Sequence, residues 1–245
     1  MTSDSAKDRV FASRQGMIVD FAFDATVAKV FPDMIRRSVP GYETIISLTG
    51  LLAEQYARPD SNCYDLGCSL GAATLSMRRR VRQPGCRIIA VDNARAMVTR
   101  CRELVQQDTS PLEVEVRCAD IREVPIEKAS VVVLNFTLQF IEPAARADLL
   151  QKIHAGLRPG GALILSEKLT FADEAERRRM EELHVAFKRA NGYSDLEISQ
   201  KRTALEKVLV PDTLEQHQSR LESVGFHSVD EWFRCLNFVS LLAVK

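Results

Sequence analysis

Tyr64-Asp65-Leu66-Gly67-Cys68-Ser69-Leu70-Gly71 is the stretch on which the fold turns. The β-type run Cys63-Tyr64-Asp65-Leu66 leads into it and a helical stretch from Ala72 to Val81 follows, so it reads as a strand-to-helix turn. Glycine at 67 permits a tight turn and close approach of a ligand, and glycine at 71 lets the helix pack near the strand. The middle glycine of the dinucleotide pattern G-x-G-x-x-G is missing, and Ser69 occupies its neighbourhood. Asp65 would repel a dinucleotide's phosphates and attract a cationic amino-acid tail. The loop therefore suits the methionine end of S-adenosyl-L-methionine (SAM) better than a nicotinamide cofactor.

Outward from the loop, strand and helix alternate. Arg87 to Val91 reads as a strand, Ala94 to Gln107 as a helix and Val114 to Arg117 as a strand; strand Val131 to Leu134, helix Ala144 to Leu157 and strand Ala162 to Leu165 follow. Runs apolar on both faces, such as Val131 to Leu134, predict central parallel strands covered by helices on each side. Upstream of the loop, a polar leader precedes a helix over Gly41 to Tyr56, closed by Pro59-Asp60, within an N-terminal helical segment of about 20–58. From Phe171 to Leu209 the alternation stops, and a polar helical stretch (about 171–210) reads as a cap inserted over the ligand-binding edge. β-type segments near Val229 to Phe233 and Asn237 to Val244 complete a single domain over residues 1–245.

Three more signals fall at strand ends. Asp92 closes the second strand about twenty residues past the loop, where a carboxylate can accept both ribose hydroxyl hydrogens. In Arg117-Cys118-Ala119-Asp120-Ile121 the aspartate could bond an adenine amine while Ile121 packs the ring, and Asn135-Phe136-Thr137-Leu138-Gln139-Phe140 would face a sulfonium. Singly, an aspartate after a strand is an ordinary turn or helix cap. Four in register, at the edge where open α/β sheets bind ligands, predict a Rossmann-like class I methyltransferase fold with a mostly parallel seven-stranded sheet.

Composition narrows the alternatives. Lys plus Arg and Asp plus Glu number 33 each, so no net field holds a polyanion, and direct nucleic-acid binding is not expected. Arg78-Arg79-Arg80 with Arg82, and Arg177-Arg178-Arg179 beside Glu174, Glu176, Glu181 and Glu182, lack interleaved aromatics and read as solvated helix faces, although either could draw a dianion. Met1 to Asp20 carries charges throughout and reads as neither signal peptide nor membrane anchor, so a cytoplasmic protein is expected. The six cysteines form no C-x-x-C pair and read as buried reduced thiols, and the four histidines form no ligand cluster, so no metal is expected.

The wording of the sequence adds more than its periodicity. Phe31-Pro32-Asp33-Met34-Ile35 through Ser38-Val39-Pro40-Gly41-Tyr42, Tyr64 to Leu75, Val132 to Phe140, and Lys188-Arg189-Ala190-Asn191-Gly192-Tyr193 through Lys201-Arg202 resemble the carboxy-S-adenosyl-L-methionine synthase family, over nearly the whole chain except the leader. The resemblance implies conversion of SAM and prephenate to carboxy-SAM and phenylpyruvate. Carboxy-SAM would pass to a partner tRNA carboxymethyltransferase that makes 5-oxyacetyluridine at the tRNA wobble position. Carried over by residue, Tyr42, Gly67, Cys68, Ser69, Asp92, Asn93, Asp120, Ile121 and Asn135 match positions that bind the SAM derivative, and Arg202 matches a carboxylate-binding arginine supplied by the neighbouring subunit of a homodimer. A guanidinium can grip a carboxylate through two parallel hydrogen bonds. Spacing alone would make Arg202 a solvated arginine on a polar helix, and Tyr42 either walls the site or anchors the first helix; both are taken as candidate catalytic residues. The chemistry expected is loss of prephenate's ring carboxylate as carbon dioxide, proton removal from the SAM methyl by the departing fragment, and capture of the carbon dioxide there, which asks the site chiefly for proximity and exclusion of water.

Three other readings remain at this level. An ordinary SAM-dependent methyltransferase acting on a small molecule or tRNA would share the pocket, although Asn135-Phe136-Thr137 is not the Asp-Pro-Pro-Tyr type of motif used for base N-methylation. A SAM-sensing scaffold would bind without turnover. A nicotinamide-dependent dehydrogenase is disfavoured by Cys68-Ser69.

Overall fold

A computed structural model describes residues 7–13, 21–206 and 208–245. Most of the leader thus lies outside the described residues. Among them seven strands form one sheet in the order β3-β2-β1-β4-β5-β7-β6. The strands are β1 (Asn62–Leu66), β2 (Arg87–Asp92), β3 (Glu113–Cys118), β4 (Ala129–Asn135), β5 (Leu157–Lys168), β6 (Ser228–Cys235) and β7 (Phe238–Val244). The first five pair in parallel, and β7 runs antiparallel to both β5 and β6. The order reverses between β1 and β4, so the crevice of an open α/β sheet lies past their carboxyl ends.

Alternation along the strands builds two cores. Val132 and Leu134 of β4 join Leu66, Val91 and Leu165 on one face, against Leu149, Leu150, Ile153 and Leu221. Val131 and Val133 point the other way with Cys63, Ile88 and Ile164, against Ala53, Ala73 and Met77. This is why the central strands read as unbroken apolar runs. At the β3 edge the residues are only partly buried, and Glu113, Glu115 and Arg117 blunt it against further pairing.

The helices that position the site are α1 (Ala25–Ser38), α2 (Tyr42–Tyr56), α3 (Ala72–Arg80), α4 (Arg95–Gln107), α5 (Arg146–Gly156), α6 (Glu174–Ala190), α7 (Asp195–Leu205) and α8 (Leu214–Ser223). The sequence reading found one N-terminal helix where there are two. α1 carries Pro32 in its interior, which masks the pattern, yet Asp24 caps it by accepting from the amides of Thr26 and Val27 at 2.8 and 2.9 Å. α8 was also missed, although the Thr213/Gln216 capping box announces it. α6 starts at an Asp173 cap and α7 at a Ser194/Glu197 capping box. Arg146 of α5 is fully buried, 2.6 Å from Asp212, which also lies 2.8 Å from Arg220 of α8.

The two arginine runs differ. Arg177, Arg178 and Arg179 are exposed. Arg78 is not the solvated residue expected of its run: its side chain is mostly buried and donates to the carbonyls of Leu112 at 2.9 Å and Asp108 at 3.1 Å, stitching α3 to the loop after α4. Cys63, Cys68, Cys86 and Cys101 are buried and unbridged, whereas Cys118 is exposed and Cys235 half-buried. Among the described residues no helix is long and apolar enough to cross a membrane.

Candidate active site

A cavity of about 490 Å³ opens over the carboxyl ends of the parallel strands, within the size range of small-molecule sites. Tyr42, Asp65, Gly67, Cys68, Ser69, Asp92, Asn93, Asp120, Ile121 and Asn135 all line it. Arg202 does not; it is exposed on α7, one residue after Lys201, which does.

The loop geometry explains its glycines. Gly67 and Gly71 have φ of 84° and 83°, a region that costs a β-carbon. A β-carbon on Gly67 would collide with the Thr137 side chain, and one on Gly71 would come 2.7 Å from Cys101 Sγ. Ser69 adopts φ 49°, held by its amide donating to Asp92 Oδ2 at 2.9 Å. Ala94 donates to the other Asp92 oxygen at 2.8 Å. Asp92 is thereby fixed in orientation, with a second lone pair on each oxygen free for hydroxyl donors. Burial raises its carboxyl above the ordinary range, against those two amides.

Asp65 is fully buried at the end of β1 and accepts from Thr74 Oγ1 at 2.5 Å. Burial pushes its carboxyl up to about 6, opposed by Thr74 and assisted by the Asp92 charge. Burial, with the Asp65 charge second, also pushes the Tyr42 phenol upward. Its ring stands 6.3 Å from that of Phe136. Asp120 differs from its expected role as a free acceptor: Arg122, two residues on, grips it at 2.6 to 3.1 Å and holds its carboxyl below the usual range. An adenine amine would share Asp120 with that guanidinium. Ile121 is buried and joins the core beneath.

Asn135 is the unusual residue. Its side-chain oxygen and nitrogen are both buried with no hydrogen-bond partner among the described residues, a state that costs roughly 1–3 kcal/mol per group unless a ligand supplies one. The loop behind it is clamped by Glu167 of β5, which is fully buried and accepts from the amides of Thr137, Leu138 and Gln139 at 3.1, 2.8 and 3.0 Å. Burial raises the Glu167 carboxyl to about 8, although those amides and the Arg146 charge pull it down.

Sequence reasoning missed the opposite wall. Lys168 at the end of β5, His184 and Lys188 on α6, and Lys201 on α7 line the same cavity. Nothing in the spacing of Lys188 and Lys201, within a helical stretch dense in Glu and Arg, singles them out. His184 Nε2 donates to the Ser38 carbonyl at 2.8 Å, which fixes its proton there because a carbonyl only accepts; burial, then the Lys188 charge, pulls its pKa to about 3. Phe21, Phe23, Phe31 and Phe140 add an aromatic wall, with Phe23 5.1 Å from Phe21 and 5.6 Å from Phe140. The polar leader gave no hint of it.

A sheet of this order, with a glycine turn after β1 and a fixed carboxylate after β2, defines a SAM-dependent methyltransferase-like protein. The methyltransferase domain family matches residues 64–161. Among solved structures, the chain resembles an O-methyltransferase family protein from Burkholderia thailandensis, with a TM-score of 0.63 and 17% identity, covering 91% of this chain and 60% of that one. It also resembles human N-acetylserotonin methyltransferase in complex with SAM, with a TM-score of 0.60 and 16% identity, covering 90% of this chain and 55% of that one. These likenesses establish the class I methyltransferase fold. The carboxy-S-adenosyl-L-methionine synthase of Geobacter metallireducens is 60% identical over 97% of this chain and 98% of its own length. That of Vibrio vulnificus is 58% identical over the full length of both. The chain belongs to the carboxy-S-adenosyl-L-methionine synthase family.

Proposed function

We propose that the protein makes carboxy-SAM from SAM, taking the carboxyl group from prephenate and releasing phenylpyruvate. The observation that carries this reading is the unpartnered Asn135 amide, set between fixed carboxylates on one side and a lysine-lined compartment on the other, within one cavity. Asp92 would hold the ribose hydroxyls, Asp65 the methionine ammonium, Ile121 and Asp120 the adenine, and Asn135 the region of the sulfonium. The donor loses its ring carboxylate as carbon dioxide and its hydroxyl as hydroxide; the hydroxide takes a methyl proton to become water, and the methyl carbon bonds the carbon dioxide. The chain's part is to confine these fragments and exclude bulk water. The aromatic wall and Tyr42 serve that confinement.

Arg202, exposed and outside the cavity of its own chain, would reach the product carboxylate in the neighbouring subunit of a homodimer. In the cytoplasm, carboxy-SAM would pass to a tRNA carboxymethyltransferase. The purified protein incubated with SAM and prephenate should yield a sulfonium heavier by one carboxyl group on mass spectrometry; unmodified SAM, with binding established, would overturn the proposal. Arg202→Ala should weaken retention of carboxy-SAM much more than of SAM.

A further inference from the structure

Taken in their spatial order β3-β2-β1-β4-β5, the strands present at their carboxyl ends Asp120, Asp92, Asp65, Asn135 and Lys168 in turn. The sequence of signs is acid, acid, acid, neutral, base. From β2 to β5 is three lanes of ~4.8 Å, about 14 Å in all. Beyond Lys168 the cap continues the basic end with Lys188 and Lys201.

These amines are poorly compensated. The side-chain amines of Lys168 and Lys188 have no ion-pair or hydrogen-bond partner among the described residues, although both residues are half-buried; only the Lys168 backbone amide is engaged, donating to Gln139 Oε1 at 3.2 Å. Lys201 is buried, donates to Ser38 Oγ at 3.0 Å and stands 3.9 Å from Asp8. Asp8 already accepts from the Tyr193 hydroxyl and the Val10 amide, and Asp33 from Arg37 and the Asp8 amide. Burying several like charges without a counter-ion is unfavourable, so the arrangement suits an anion that arrives from outside. Val39, Phe136 and Phe238 give that end apolar walls fit for a ring.

We propose that Lys168, Lys188 and Lys201 form the carboxylate-binding subsite for the second substrate, a small ring-bearing dicarboxylate, and that this dianion and SAM bind with positive coupling. The assignment of the dianion to the reaction rests on the function proposed above; the subsite itself does not. SAM carries a net positive charge at neutral pH, so an empty lysine end repels it, and a dianion there turns repulsion into attraction. Each ligand reduces the cost of admitting the other.

The protonation behaviour gives an independent readout. Burial, reinforced by neighbouring cations, holds Lys188 down to about 7. Burial, with Arg37 also lowering and Asp8, Asp33 and Glu197 raising, holds Lys201 at about 8. Lys168 is lowered by burial and by Arg202, against Glu181. His184 faces them as a neutral ring. An arriving dianion favours the ammonium forms, so binding near pH 7.5 takes up protons.

The test uses calorimetry in buffers of different ionisation enthalpy, with phenylsuccinate as an unreactive dicarboxylate probe, alongside turnover of prephenate. Expected results are proton uptake on phenylsuccinate binding at pH 7.5 and SAM binding tightened roughly 5- to 100-fold by saturating phenylsuccinate. Lys188→Met and Lys168→Met should each raise KM for prephenate roughly 10- to 100-fold, with SAM affinity alone changed less than about threefold and melting temperature not lowered. Lys188→Arg should recover most of the affinity with proton uptake reduced, because a guanidinium does not titrate. Unchanged prephenate KM in both methionine variants, absence of proton uptake, or competition between phenylsuccinate and SAM would each overturn the subsite. Phenylsuccinate binding that behaves as expected, with no carboxy-SAM formed from prephenate, would uphold the subsite and remove the functional reading instead.

Discussion

The two walls of the cavity are built on opposite principles. At the carboxyl ends of β1, β2 and β5 the carboxylates are held by the backbone or a neighbour: two amides on Asp92, three on Glu167, a hydroxyl on Asp65. On the side facing the cap, the amines of Lys168 and Lys188 have no hydrogen-bond or ion-pair partner among the described residues, and Lys201 has one serine and a distant carboxylate. The first wall is a preformed mould, the second an incomplete one that its ligand finishes. Such sites trade stability for function.

The sharpest way to break the contrast is Glu167→Ala. Three buried amides lose their acceptor at ~1–3 kcal/mol each, so urea denaturation should show a loss of about 3 kcal/mol or more, whereas Lys188→Met should cost nothing. A loss of under about 1 kcal/mol for Glu167→Ala would mean that the loop after β4 holds itself.

Next in size is the pH dependence, which should have opposite signs on the two walls. Asp65 is raised from 3.8 to about 6, so its contribution to stability is present below pH 3.8 and is lost as pH climbs through 6, on the order of 3 kcal/mol in all. Glu167, raised from 4.5 to about 8, extends the same trend upward. Lys188 is depressed from 10.5 to about 7, so its contribution is full above 10.5 and lost as pH falls through 7. Melting curves of the ligand-free protein should therefore be flattened between pH 4 and 6 by Asp65→Asn, and between pH 7 and 10 by Lys188→Met. A common effect of both variants in one window would erase the distinction.

The two arginine runs sharpen it on a smaller scale. Arg78→Ala removes donors to the Leu112 and Asp108 carbonyls and should cost about 1–2 kcal/mol. Arg178→Ala, which removes an ion pair with an exposed Glu174 at 3.0 Å, should change stability by less than about 0.5 kcal/mol. Chemical denaturation of the two variants, run together, decides it.

The strand wall was legible in the sequence because strand ends are local: a β-type run, a glycine turn and an acidic residue place Asp65, Gly67 and Asp92 without knowledge of anything distant. The same locality located β1 to β4 to within two residues at each end, whereas β5 (Leu157–Lys168) extends well beyond the Ala162 to Leu165 run that marks it. What escaped was whatever depends on a remote partner. Asp120 looked like a free acceptor because nothing in the spacing announces that Arg122 folds back on it. Lys201 went unnoticed because its partners, Ser38 at the end of α1 and Asp8, lie far off in the chain. α1 itself was hidden by Pro32, and Glu167 by lying inside an apolar strand, where its partners come from another lane of the sheet.

The roof over the cavity is tied down by contacts between segments far apart in the chain. Tyr193 reaches Asp8, 185 positions earlier; Arg37 donates to the Asn191 carbonyl at 2.7 Å; and the Phe21 amide bonds the Ala204 carbonyl at 3.0 Å. Contacts this far apart in the chain carry the largest loop-closure cost and form late. The sheet can therefore mature while its roof is still ajar, and amides at Phe21 and around Tyr193 should exchange with deuterium well ahead of those in β4. The cavity would then be enclosed only once these three distant contacts have closed.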